Sequence, residues 1–209
     1  MNVVAIGAHA DDLELGMGGT IAKHVAAGDN VCMVLVTHSG YNSYKGVVVR
    51  EQATAFKEAQ QAADILGVTD LRCLGHETKY VTYSADLIEQ LNQIIDEVGA
   101  DMVYTHWDGD LNQDHAAISK SPLVAARNIP RVLMYRSNWY KSAKPFDGSF
   151  YVDISENISD KINSIKAHQS ECQKNGERWV EFFKHQTRGF GIEIGVEYAE
   201  LFKVIKWRA

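Results

Sequence analysis

Four short apolar runs constrain this 209-residue chain more than any other feature. Val3 to Ile6, Val31 to Val36, "DMVYTH" at 101–106 and "RVLMYR" at 131–136 lack the apolar/polar alternation of a strand with one wet face. A strand apolar on both sides belongs to a parallel sheet covered above and below. Between the runs lie segments of helical spacing: Ala53, Phe56, Ala59, Ala63 and Leu66 in one, Leu87, Leu91, Ile94 and Val98 in another. Gly28, Gly67 and Gly99 fall where helices should stop, suiting the left-handed position just past a helix end. About five such βα units predict a Rossmann-like, doubly wound α/β fold, a mostly parallel sheet with helices on both faces. Further on, Ser155 is read as capping a helix carrying Ile158, Ile162 and Ile165, and "VEYAELFKVIKW" as a final strand. With no repeat, linker or low-complexity tract, residues 1–209 are expected to form one domain.

Charge and composition narrow the partners. A formal net charge of -6 disfavours nucleic acid and anionic membranes and points to a small molecule. No apolar run approaches the roughly 20 residues that span a bilayer, and the N-terminus lacks the charged and apolar regions of a signal peptide. A cytoplasmic location without membrane attachment is expected, and a homo-oligomer is left open. Cys32, Cys73 and Cys172 are odd in number, far apart and without a CxxC pair, so buried free thiols are expected rather than disulfides or a cysteine zinc site.

The chemistry gathers at strand ends. "IGAHADDLELGMGGT" at 6–20 sets His9, Asp11 and Asp12 directly after the first strand. His38 follows the second strand, His106 ends the third, and His115 comes nine residues later. In open α/β sheets ligands bind beyond the carboxyl ends of the strands, so distant segments deliver imidazoles and carboxylates to one edge. A catalytic zinc takes three nitrogen or oxygen ligands and keeps a fourth position open. His9 and Asp12, three apart in a tightening turn, can supply two and His115 the third, while Asp11 can act as general base. "GMGG" at 16–19 is no dinucleotide fingerprint, because the G-x-G-x-x-G order is absent and the preceding carboxylates would repel a pyrophosphate. Its glycines are expected to let the first helix pack closely.

The residues also resemble a known family. "AHADDLELGMGGTIAKHVAAGDNV" is similar to the opening motif of the LmbE-like deacetylases, the PIG-L family of zinc-dependent amidases, and "NQDHAA" to their second motif. "VVVREQATAFKEAQQAADILGV", "KINSIKAHQSEC" and "TRGFGIEIGVEYAELFKVI" resemble later family segments in the expected order. The resemblance implies the LmbE-like fold, His9, Asp12 and His115 as ligands of Zn²⁺ or another divalent metal such as Fe²⁺, and Asp11 as general base. It makes Arg50 a site residue. The activity implied is removal of an N-acetyl group from an N-acetylated amino sugar or sugar conjugate.

Two positions depart from the family pattern. Ala10 stands where proline is usual, and Asn112 where a histidine usually assists the oxyanion or the leaving group. Asn112 can donate a hydrogen bond but cannot carry a proton. Either it suffices beside Asp11, or His106, His38 or His168 takes over, with His106 expected within reach of the attacking water or the substrate carbonyl. Glu14 is read as orienting His9 or binding a substrate hydroxyl, Trp107, Trp139, Tyr140 and Tyr44 as surfaces for a sugar ring or ordinary packing, and Asp110 and Asp114 as helix caps or imidazole partners. Two other readings stay open: an amidase or deformylase on a different N-acyl metabolite, and a non-catalytic metal- or nucleotide-sugar-binding protein.

Overall fold

A computed structural model describes residues 1–142 and 144–208. The chain runs β1 (Asn2–Gly7), α1 (Asp12–Ala26), β2 (Asn30–Thr37), β3 (Tyr41–Asn42), β4 (Val48–Arg50), α2 (Gln52–Leu66), β5 (Asp70–His76), α3 (Ala85–Val98) and β6 (Met102–His106). It continues through α4 (Gln113–Ile118), α5 (Ser121–Ala125), β7 (Arg131–Tyr135), β8 (Phe150–Asp153), α6 (Ile158–Ala167), α7 (Gln169–Asn175), α8 (Glu177–Ile194) and β9 (Ala199–Trp207).

The two-faced strands behave as their composition demands. Val3 and Ala5 of β1 join a layer with Met33 and Leu35 of β2, under Leu13, Met17 and Ile21 of α1 and Ala55, Ala59 and Leu66 of α2. Val4, Ile6, Cys32 and Val34 face the opposite layer, under Leu87, Leu91 and Ile94 of α3 and Ile118 of α4. Full burial of each large aliphatic side chain contributes about 1.5–3 kcal/mol.

One sheet is ordered β5-β2-β1-β6-β7-β9-β8. The first five strands are parallel, whereas β9 pairs antiparallel with both β7 and β8. The chain builds outward from β1 through β2 to β5, and α3 then returns it to β6 on the other side of β1. The order therefore reverses between β1 and β6, where a crevice opens at the carboxyl ends.

Gly67 and Gly99 end α2 and α3 in the left-handed region, as their spacing predicted. Gly16 and Gly19 are packing glycines: a Cβ would meet the Tyr135 ring at 2.2 Å and Ile154 at 2.7 Å. Some expectations fail. Ser155 does not cap α6; its N–H and hydroxyl both donate to Asp153, and the helix starts after Asn157. β5 and β8 have no counterpart in the sequence reading, because as edge strands they carry charged and half-exposed residues. Cys32 is buried, but Cys73 is exposed and Cys172 half-buried. Among the described residues no helix is long and apolar enough to cross a membrane.

Candidate metal centre

The loop after β1 shapes the site. Asp11 sits at φ 142°, ψ -26°, a conformation that L residues rarely adopt and that persists only where the surroundings fix it. On either side the chain is pinned. Ala10 N–H donates to Ser39 Oγ at 2.8 Å, Arg50 Nη1 donates to the Ala10 carbonyl at 2.8 Å, and His9 N–H donates to Asp12 Oδ2 at 2.8 Å. Ser137 Oγ, beyond the end of β7, donates to Asp12 Oδ1 at 2.8 Å. His115 arrives on the first turn of α4, which Asn112 caps by accepting from the Asp114 and His115 amides.

Three side chains converge. His9 Nδ1 lies 3.2 Å from His115 Nε2 and 3.3 Å from Asp12 Oδ2, and His115 Nε2 lies 3.2 Å from Asp12 Oδ1. A tetrahedral centre with ligand bonds of about 2.0–2.1 Å has ligand atoms about 3.3 Å apart. Each of these contacts is close to that spacing, the two imidazoles reaching different oxygens of Asp12, and the two-imidazole, one-carboxylate composition suits Zn²⁺ or Fe²⁺.

The outward nitrogens reinforce that fit. His9 Nε2 donates to Asp114 Oδ2 at 2.8 Å, and His115 Nδ1 donates to Asp110 Oδ2 at 2.8 Å. Each carboxylate fixes its imidazole in the tautomer whose other nitrogen, with its lone pair, points at the trio's centre. Asp114 is anchored by the Lys79 and Val81 amides, and Asp110 by the Asn112 amide and the Tyr140 hydroxyl. Both serve as imidazole partners, while the cap of α4 is Asn112.

Charge is concentrated accordingly. Burial would lower the His9 and His115 pKa values, but Asp114 and Asp12 raise the first to about 9, and Asp12 and Asp110 raise the second to about 10. Burial pushes Asp12 upward, yet His115 and His106 hold it well below the usual carboxylate range. Carboxylates that draw protons onto imidazoles draw a dication by the same attraction. Burial, then Asp12 and Glu171, push Asp11 up to about 7 against the pull of Arg50 and His168.

A cleft of about 230 Å³ adjoins the trio, lined by His9, Asp11, Arg50, Asn112, Lys79 and Lys174 among others. Asp11 and Asn112 therefore border the space a substrate would fill. Arg50 is nearly buried, held by Glu58 at 2.8 Å and by the Ala10 carbonyl.

Other expected site residues lie elsewhere. His106 is buried behind the trio, stacked on His115 at 4.1 Å, with its Nε2 accepting from the Ala8 amide at 3.0 Å. Burial, with His115 beside it, lowers its pKa to about 4. It packs against His115 and Asp12 and does not line the cleft, because residues inside the end of a strand pack into the core. Trp107 is also buried, filling the space over Gly109 with Nε1 donating to Asp147, so it offers no sugar-stacking face. Glu14 falls about 200° around α1 from Asp12. It bonds neither His9 nor the cleft and lies 3.4 Å from His168 Nε2, which is itself fully buried. His38 closes a turn, its Nδ1 accepting from the Gly40 amide. Sequence reasoning missed Ser39, Lys79 and Lys174, because no motif surrounds them and only the fold brings them to this edge.

Comparison with known proteins finds relatives along most of the chain. Residues 4–126 match the family model described as GlcNAc-PI de-N-acetylase, PIG-L. An uncharacterized deacetylase YaiS from Escherichia coli (strain K12) is 30% identical over 188 residues, 80% of this chain and 90% of that protein. A diacetylchitobiose deacetylase from Thermococcus kodakarensis is 23% identical over 218 residues, 95% of this chain and 80% of the relative. The crystal structure of a conserved protein from Thermus thermophilus superposes with a TM-score of 0.85 at 26% identity, covering 100% of this chain and 96% of that one.

Proposed function

The chain belongs to the PIG-L family, and from that premise we propose that it is a metal-dependent hydrolase that removes the acetyl group from an N-acetylated amino sugar or amino-sugar conjugate. The observation that carries the reading is the trio of His9, Asp12 and His115, whose ligand atoms lie within 4.8 Å of one another, with both outward imidazole nitrogens held by carboxylates. A divalent cation held by these three residues supplies polarisation of water and of the amide carbonyl. Zn²⁺ is the metal this donor set favours, with Fe²⁺ the alternative.

Asp11 is the group that moves protons. A carboxylate that borders the cleft and that burial, Asp12 and Glu171 push upward can accept a proton from water and give it back, which a general base serving also as general acid requires. It takes a proton from the attacking water as the new C–O bond forms. It returns that proton to the amide nitrogen as the C–N bond breaks, releasing acetate and a free amine. Asn112, its carbonyl oxygen occupied by the helix cap, turns its amide NH₂ to the substrate carbonyl oxygen as a donor. His106 and His168 are buried and His38 lines the outer cleft only, so both proton transfers rest on Asp11.

Acetate release from the Zn²⁺-loaded protein over a panel of free, nucleotide-linked and conjugated N-acetylated amino sugars tests the reaction, with N-formyl analogues alongside. Asp11→Asn should retain metal and lose at least about 10²-fold in kcat. Silence across the panel with metal bound, or an Asp11→Asn protein as active as the parent, would overturn the reading in favour of a different acyl group or a binding protein.

A further inference from the structure

We propose that the acceptor carries an anionic group, a phosphate or a carboxylate, bound at the cleft mouth by Lys79 and Lys174 beside Tyr41; this rests on the hydrolase reading above. Lys79 Nζ lies 5.0 Å from the centre of the Tyr41 ring and Lys174 Nζ 5.1 Å from it. All three residues line the cleft that holds His9 and Asp11. Tyr41 and Lys79 also line the adjoining cleft of about 580 Å³, so the pair stands where one space opens into the other. The inner cleft alone is smaller than an ordinary ligand pocket of about 300–1,000 Å³, which leaves the rest of a conjugate to the outer one.

Lys79 is held as a functional residue is held. Its φ is +78°, rare for a residue with a side chain, and its N–H donates to Asp114 Oδ2 at 2.7 Å, the same carboxylate oxygen that fixes His9. The lysine is thereby tied to the frame of the metal centre. Among the described residues no carboxylate lies within ion-pair distance of its ammonium, whose one protein acceptor is the Asn42 carbonyl at 2.6 Å. An ammonium has three N–H donors, so two remain for a ligand. Lys174 donates to the Tyr41 hydroxyl and to Glu171 Oε2, leaving a third donor. Charge-assisted hydrogen bonds from two ammonium groups match a phosphate or a carboxylate better than a neutral hydroxyl.

The test compares kcat/KM of the metal-loaded protein for N-acetylglucosamine 1-phosphate and N-acetylmuramic acid, as the phosphate and carboxylate arms, with that for methyl N-acetylglucosaminide. The proposal expects at least one anionic substrate to be favoured about tenfold or more, through KM, with the advantage shrinking as salt is raised. Lys79→Gln should lower kcat/KM for that substrate about tenfold more than for the neutral one. Equal turnover of all three, or equal losses in Lys79→Gln, would overturn it. Where no substrate is turned over, calorimetry with glucosamine 1-phosphate against glucosamine decides separately. Tighter binding of the phosphate, lost in Lys79→Gln, keeps the anion site and removes only the hydrolase reading, whereas equal affinity removes the anion site.

Discussion

The amide of Ala10 donates to Ser39 Oγ over 2.8 Å, a bond that proline at position 10 could not make. Ala10 is one of the two positions read as departing from the family pattern, and here the loop is braced by a hydrogen bond in place of a fixed φ. Ser39 is itself held at φ +59°, with its amide donating to Thr37 Oγ1. Ser39→Ala leaves a buried N–H unpaired and should destabilise the protein by about 1–3 kcal/mol. Ala10→Pro removes the donor and should also destabilise, whereas the double variant should be more stable than the sum of the single losses implies. Chemical denaturation of the four proteins measures the coupling, and strict additivity would show that the bond does no bracing.

The carboxylates behind the imidazoles give a second expectation. Asp110→Asn and Asp114→Asn keep the shape of each residue but weaken its hold on His115 or His9. Outer partners of this kind are typically worth about 10–100-fold in metal affinity. Competition against a chromogenic chelator should show that loss in each variant. Asp114→Asn should also loosen the 79–81 segment, whose amides at Lys79 and Val81 both donate to it.

Protons and metal compete for the same nitrogens. His9 and His115, raised to about 9 and about 10, are largely protonated at pH 7 in the metal-free protein. Metal uptake at pH 7 should therefore release protons, and affinity should rise with pH. For the metal-free protein the sign is opposite. Histidines whose folded pKa exceeds the unfolded value of about 6.5 contribute stability fully below that pH and lose it as pH rises through about 9 to 10. Calorimetry in buffers of different ionisation enthalpy reads the proton release, and melting temperatures from pH 6.5 to 10 read the stability. A metal-free melting temperature that climbs over that range would contradict the assignment.

What was legible in the sequence follows from how each feature is encoded. The parallel core was readable because burial on both faces leaves an unbroken apolar run, as in Val31 to Val36. β5 was not, since an edge strand holding Asp70, Arg72 and His76 has neither the run nor the alternation. His9, Asp12 and His115 could be proposed as a set because two lie in one turn and strand-end logic brings the third, and they do converge. His106 obeyed the same logic yet points into the core, since sequence position at a strand end does not say on which side a ring lands. Trp107 failed similarly, its room being made by Gly109, two residues on. Lys79 and Lys174, 95 residues apart, meet around Tyr41 through tertiary packing alone.

Asn112 has two jobs that one substitution separates. Its side-chain oxygen caps α4 by accepting from Asp114 and His115, and its amide NH₂, with no protein partner among the described residues, is left for the cleft. Asp is as good an N-cap as Asn and favours the helix dipole, so Asn112→Asp should keep the helix, the position of His115 and the melting temperature. It replaces the donor with an acceptor. If the NH₂ stabilises the developing oxyanion, kcat should fall about 10²–10³-fold while metal content stays at one per chain. Asn112→Ala should lose the cap as well, about 1 kcal/mol of stability, with a similar kcat. Turnover undiminished in Asn112→Asp would mean that the carbonyl oxygen finds its donor elsewhere, and the missing family histidine would then have no substitute at this position.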